Sequence, residues 1–252
     1  MSNIPTPYMR ARNKNWYSLK AFKEGEKNVA VLSIDDAIDS IFGLDANALA
    51  ANIRALEADE IKVFVNSPGG DVFSGISLYN ALKSHPATVK TYNTGLAASI
   101  SSVIMLAGDE VYTYENSLTM IHNAWGRVVG NASELRETAN VLDKIDDQIV
   151  GIYQKATGMD KIIIEEMMAK ETWLSSAEAR EIGFSETIED KTAKTQMAFD
   201  LSVFKNTPQE IKNITNKDTM EAAKKELDIK KHRDERNEME RRIRLSVAMD
   251  NI

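Results

Sequence analysis

Between Val29 and Ile121, short apolar runs alternate with segments of helical period, and this alternation restricts the fold more than any other feature. Val29-Ala30-Val31-Leu32-Ser33-Ile34 and Ile61-Lys62-Val63-Phe64-Val65 have strand length. Between them Leu49, Ile53 and Leu56 recur at i, i+4 and i+7 behind Asp45, a capping residue. A helix from about Ser74 to Ser84 is stopped by Pro86. Val89 to Tyr92 reads as a strand, Ala98 to Ala107 as an apolar helix ended by Gly108, and Glu110 to Tyr114 and Leu118 to Ile121 as strands. Strands joined by helices in this manner require crossover connections. The predicted class is α/β, with a largely parallel sheet and helices packed on it.

Further on, Asn131-Ala132-Ser133-Glu134 is a capped start for a long amphipathic helix running to Gly158. Its stripe comprises Leu135, Leu142, Ile145, Ile149 and Ile152. A second helix spans about Asp160 to Ala169. Ser175-Ser176-Ala177-Glu178 is a capping box for a short helix that Gly183 terminates. Residues 1–27 are polar and broken by Pro5 and Pro7, so they read as an N-terminal arm or a loose first strand. Residues 190–219 lack a sustained period. Met220 to Leu245 is dense in Lys, Arg and Glu, which suits a solvated helix or a disordered tail. The expected organisation is an arm (1–27), a folded body (28–189) and a charged C-terminal extension (190–252).

Charge and composition narrow the function classes. Residues 190–252 carry 14 Lys/Arg against 12 Asp/Glu, so residues 1–189 carry 17 against 26 and form an acidic body of charge −9, more negative than the whole chain at −7. Such a body has no basic stripe for nucleic acid. No apolar run approaches the roughly 18 residues of a membrane span, and the N-terminus has no apolar core of a secretory signal. The absence of cysteine excludes disulfides, a thiol nucleophile and thiolate metal sites. A cytoplasmic location is the expectation, with no metal or cofactor.

Three segments carry chemistry. Ser99 lies in Gly95-Leu96-Ala97-Ala98-Ser99-Ile100, where a strand turns into an apolar helix. His122, one of only three histidines, follows 23 residues later in Met120-Ile121-His122-Asn123. A serine hydroxyl is a weak nucleophile until a base takes its proton, and small neighbours leave both groups room to reach a carbonyl. Upstream, Asn66-Ser67-Pro68-Gly69-Gly70 offers glycine N–H groups suited to an oxyanion. The ends of neighbouring strands converge in space, which is where α/β folds place their sites. Asp71 reads as a helix cap beside this turn. His85 and His232 have no evident partner, and Tyr112, Tyr114, Trp125 and Trp173 read as core or interface.

Taken together, residues 61–188 resemble the Clp protease proteolytic subunit, within the fold shared with enoyl-CoA hydratases. The matching residues are Asn66 to Gly70, then Gly75 and Tyr79, Gly95 to Ser99, Met120-Ile121-His122, Thr157-Gly158, and Trp173-Leu174-Ser175 leading to Glu178, Ala179 and Gly183. The resemblance implies stacked β-β-α units with a protruding handle and a serine-type endopeptidase acting on polypeptides. Ser99 matches the nucleophile and His122 the general base. Gly70 and Ile100 match the positions whose amides form the oxyanion hole. Gly126-Arg127-Val128-Val129-Gly130 matches the handle. There, Arg127, Val128 and Val129 on one side and Gly70, Asp71 and Val72 on the other would hold an extended peptide by strand addition. A ring-forming homo-oligomer and an AAA+ unfoldase partner are implied in the same way. The chain has no Gly-x-x-x-x-Gly-Lys-[Ser/Thr] loop of its own, so a partner would supply any ATP dependence.

One position departs from the pattern. Glu171 stands where the family usually has aspartate, and a Ser-His-Glu arrangement can still steady an imidazolium. A surface carboxylate paired with Lys170 or Lys161 is the alternative, and Asp146 or Asp147 on the long helix, read as its solvated face, are less suited. The glutamate and the charged extension resemble the bacteriophage head-maturation branch, whose members trim scaffold and capsid precursors in the prohead. Two other classes stay open: a hydratase acting on CoA thioesters, and a catalytically silent ring- or shell-forming assembly protein.

Overall fold

The computed structural model describes residues 16–38, 46–188, 199, 201, 203–209 and 211. Asp45, most of the extension and the first fifteen residues lie outside them. Eight strands among the described residues form one sheet. β1 (Tyr17–Glu24) and β2 (Lys27–Ile34) form an antiparallel hairpin, so part of the expected arm is a full strand. α1 (Ala46–Arg54) leads to β3 (Glu60–Ser67), and α2 (Val72–Lys83) to β4 (Thr88–Ala98). β2, β3 and β4 run parallel, as the crossover pattern predicts. Leu49, Ala50 and Ile53 of α1, with Leu78, Ala81 and Leu82 of α2, are buried in the core beside Leu32, Ile61, Val63 and Val65 of the sheet.

β4 carries the fold's main departure from the sequence expectation. The residue pattern ends this strand at Tyr92 and starts a helix at Ala98, whereas the strand continues to Ala98 and α3 (Ile100–Met105) begins two residues later. The reason is that β4 changes neighbours along its length. Lys90–Asn93 pairs with β5 (Glu110–Tyr114), and Leu96–Ala98 with β6 (Leu118–Ile121). The Leu96-Ala97-Ala98 stretch has helical propensity, yet it lies fully buried between β3 and β6, where backbone pairing outweighs that preference. On the β5 side, Phe64, Tyr92 and Tyr112 sit in register and stack at 5.0 and 5.3 Å. Such cross-strand pairs lock the register.

α4 (Ala132–Thr157) has the predicted capping box. The Asn131 side chain accepts from Ser133 and Glu134 amides, the Glu134 carboxylate accepts from Asn131 N, and Gly158 closes the helix in the left-handed region. α5 (Lys161–Ala169) is capped by Asp160, and α6 (Ser176–Glu181) by the Ser175–Glu178 box. Two short strands escaped the sequence reading. β7 (Thr172–Ser175) pairs antiparallel with β6, and β8 (Glu186–Ile188) pairs parallel with β5. Both are too short to show a period. The last described residues come from the stretch 190–219, in which the sequence shows no sustained period, and several of them are buried. Phe199, Leu201, Phe204 and Ile211 are buried in a second apolar cluster with Leu96, Ala98 and Met120.

Candidate active site

The joint between β4 and α3 holds Ser99 in a conformation uncommon for a residue with a side chain, φ 57° and ψ −132°. Strain of this kind persists where the surroundings over-determine it. Here the surroundings are explicit. Ser99 N donates to Met120 O at 2.9 Å, tying the joint to β6. Ser101 Oγ donates to Ser67 O at 2.9 Å and Ala98 O at 2.7 Å, and Ser102 Oγ bonds the Ser99 carbonyl and the buried Tyr153 hydroxyl. Gly69 backs directly onto Ser99: a Cβ there would come within 2.6 Å of Ser99 Cβ and 2.7 Å of Ala98 O. Only glycine fits so close to the serine, and its φ of +92° suits glycine as well.

His122 immediately follows β6, and its Nε2 lies 2.8 Å from Ser99 Oγ. The pair that the sequence set 23 residues apart is therefore in hydrogen-bond contact, because β4 and β6 are adjacent parallel strands whose C-terminal ends meet. Burial pushes the imidazole below its ordinary pKa, and the charge of Glu171 opposes that effect. A neutral ring can accept a proton, which is the state a general base needs.

Gly70 and Ile100 flank the serine. Ile100 is the first residue of α3, so its N–H has no partner within the helix. Gly70 has φ +149° and is pressed against Ile38, whose carbonyl a Cβ at Gly70 would overlap. Ile38 N donates to Gly69 O, and Asp71 N to Ile38 O, so the glycine turn is pinned on both sides of Gly70. Asp71 caps α2, accepting from Ser74 N at 2.8 Å, and Val72 opens that helix. A cleft of about 340 Å³ opens beside Ser99 and His122, and Gly70, Asp71, Val72 and Ile100 line it. Its apolar lining includes Val103, Leu142 and Ile149 with Tyr153.

Not every expected residue gathers there. Arg127, Val128 and Val129 form an exposed segment without strand pairing, outside the cleft lining. Glu171 adopts φ 51° directly after the C-cap of α5, a left-handed site that helices usually fill with glycine. Its carboxylate accepts from Lys205 N at 2.8 Å and Asn206 N at 2.6 Å, and no hydrogen bond among the described residues joins it to His122. Its influence on the imidazole is through space. Asp146, read from sequence as solvated, is half-buried and accepts from Ala124 N at 2.7 Å, which fixes the segment just after His122. Sequence reasoning missed Trp125 and Phe204 as cleft-lining residues. Phe204 sits in a polar stretch with no period to mark it.

Serine, imidazole and the Gly70 and Ile100 amides, which have no hydrogen-bond acceptor among the described residues, lie at the converging ends of parallel strands beside a cleft, a constellation suited to acyl transfer. A family model described as Clp protease matches residues 34–192. The chain belongs to the Clp protease family, and so to the proteases. More particularly, it is similar to the ATP-dependent Clp protease proteolytic subunit of Deinococcus radiodurans. The two are 30% identical over 157 residues, covering 60% of this chain and 77% of the relative.

Proposed function

We propose that this chain is a serine endopeptidase in which Ser99, His122 and Glu171 carry the reaction. Ser99 Oγ attacks the scissile carbonyl while His122 Nε2 takes its proton. The oxyanion that forms is held by the amides of Gly70 and Ile100, and removing one donor of this kind typically costs about 100- to 1000-fold in rate. His122 then gives the proton to the departing amine, leaving an acyl group on Ser99. Water attacks this ester with His122 again as base, releasing the carboxylate product and restoring the serine. Glu171 stabilises the imidazolium through its charge. The 2.8 Å contact between Ser99 and His122, both of which line the cleft, is the observation that carries this reading.

Substrates are polypeptides bound in extended form, and the apolar lining of the cleft suits an apolar side chain next to the cleaved bond. Arg127 to Val129 would supply one edge for such a strand and Gly70 to Val72 the other. Exposed apolar side chains on α4 and α5 support assembly into a homo-oligomeric ring. An AAA+ unfoldase partner fits a chain without a nucleotide-binding loop. Among narrower roles we favour phage head maturation, on the strength of Glu171 and the charged extension, acting in the cytoplasm or on the prohead.

The test compares the parent protein with Ser99→Ala on an unstructured protein substrate, with and without ATP and an unfoldase, alongside intact mass and labelling by a fluorophosphonate. Cleavage and labelling are expected in the parent and neither in the variant. Cleavage that survives the substitution rejects the mechanism.

A further inference from the structure

His122 is the least anchored member of the site by hydrogen bonding. Its Nε2 meets Ser99, but among the described residues no hydrogen bond reaches its other ring nitrogen. The imidazole turns about two side-chain bonds, so its plane must be fixed by packing. Phe204 supplies one such contact. The two rings meet edge-to-face, 5.5 Å apart at 87°, and Phe204 meets Trp173 in the same manner at 5.9 Å and 79°.

Phe204 is itself firmly held. It is 3% exposed, its amide donates to Leu201 O at 3.1 Å, and Thr207 Oγ1 reaches Leu201 O at 3.3 Å. Asn206 Nδ2 donates to Lys170 O at 2.6 Å, fastening the turn to the end of α5. The next two amides of the same turn, from Lys205 and Asn206, hold both oxygens of the Glu171 carboxylate. One short turn thus touches the proposed base and the proposed acid together, and it lies beyond residue 192, where the family match ends.

We propose that the turn at 203–207 is a positioning element of the active site: the Phe204 ring fixes the plane of the His122 imidazole, and the amides of Lys205 and Asn206 fix the Glu171 carboxylate. This rests on the peptidase reading, and it extends the machinery outside the family's domain. A base displaced by about 1 Å can lose on the order of 100-fold in rate, so the anchoring has kinetic consequences.

The experiment uses the full chain with Phe204→Ala and Phe204→Leu. Turnover is expressed per serine titrated with fluorophosphonate, which removes any unfolded fraction. The nitrogen resonances of His122 are followed by NMR. Phe204→Ala should lower kcat at least about tenfold with KM within about twofold, and Phe204→Leu, which refills the space against the ring, should recover to within about threefold. The His122 resonances should broaden or average in Phe204→Ala. Unchanged kcat per titrated serine with only a lower Tm makes Phe204 a filler and overturns the proposal. A rise in kcat overturns it too, since the turn would then be covering the site. If the parent shows no serine-dependent turnover, the peptidase reading fails separately. The NMR comparison still decides the anchoring, and identical His122 spectra in parent and variant refute it.

Discussion

At the residue scale, His122 is under two opposed influences: burial lowers its affinity for a proton and the Glu171 charge raises it, with burial the larger. The group is therefore depressed in the folded protein, and its stability contribution is complete above the unfolded value near pH 6.5. That contribution is lost as pH falls through the folded value. The same sign governs catalysis, since the neutral base persists to lower pH than an ordinary histidine would allow. Glu171→Gln removes the charge and keeps an acceptor oxygen. The acidic limb of kcat/KM should then move to lower pH, and kcat should fall at least about tenfold because the imidazolium is less stabilised. A limb that stays in place removes Glu171 from the electrostatics of the site. Sequence reading pointed to Ser99 and His122 by type and spacing, and to Glu171 only through the family resemblance. It did not reach the left-handed backbone of Glu171, nor the turn that captures its carboxylate, because neither leaves a mark in residue type.

At the element scale, the β4–α3 joint is held from three sides: by β6 through Ser99 N, by β3 through Ser101, and by α4 through Ser102 and Tyr153. Tyr153 is buried, and burial pushes its hydroxyl well above the usual range, so it stays protonated and able to donate. Tyr153→Phe deletes one buried hydrogen bond while Ser102 keeps the Ser99 carbonyl as acceptor. A loss of about 1 kcal/mol in chemical denaturation is expected, with the ring packing kept. A loss well above that would mean that the joint itself has shifted, which fluorophosphonate labelling of Ser99 would register. Helix ends were legible from Asn131, Glu134, Asp160 and Ser175 because caps are local hydrogen-bond problems that sequence must solve in place. The length of β4 and the existence of β7 and β8 were not, since each depends on a neighbour distant in sequence.

For the whole molecule, several large apolar side chains lie outside any core. Ile162 and Ile163 at the start of α5 are 64% and 51% exposed, and Leu135 and Val141 on α4 are exposed as well. Apolar surface left on two adjoining helices is consistent with contact between copies. The double substitution Ile162→Glu and Ile163→Glu should yield smaller species in sedimentation velocity with the circular dichroism unchanged, because neither side chain supports the interior. An unaltered sedimentation profile would place the contact elsewhere.

The amino-acid sequence alone determined the α/β class, the helix caps, and the pairing of a serine elbow with a histidine and a glycine turn. These follow from local periodicity and from the chemistry of residue types. Tertiary structure decided how β4 divides between β5 and β6, and with it the 2.8 Å meeting of Ser99 and His122. It also decided that a turn near residue 204 buttresses the imidazole. Contacts between strand ends and distant turns depend on which surfaces meet after collapse, and burial of a few scattered apolar side chains such as Phe199 and Phe204 sets that outcome without any periodic signature.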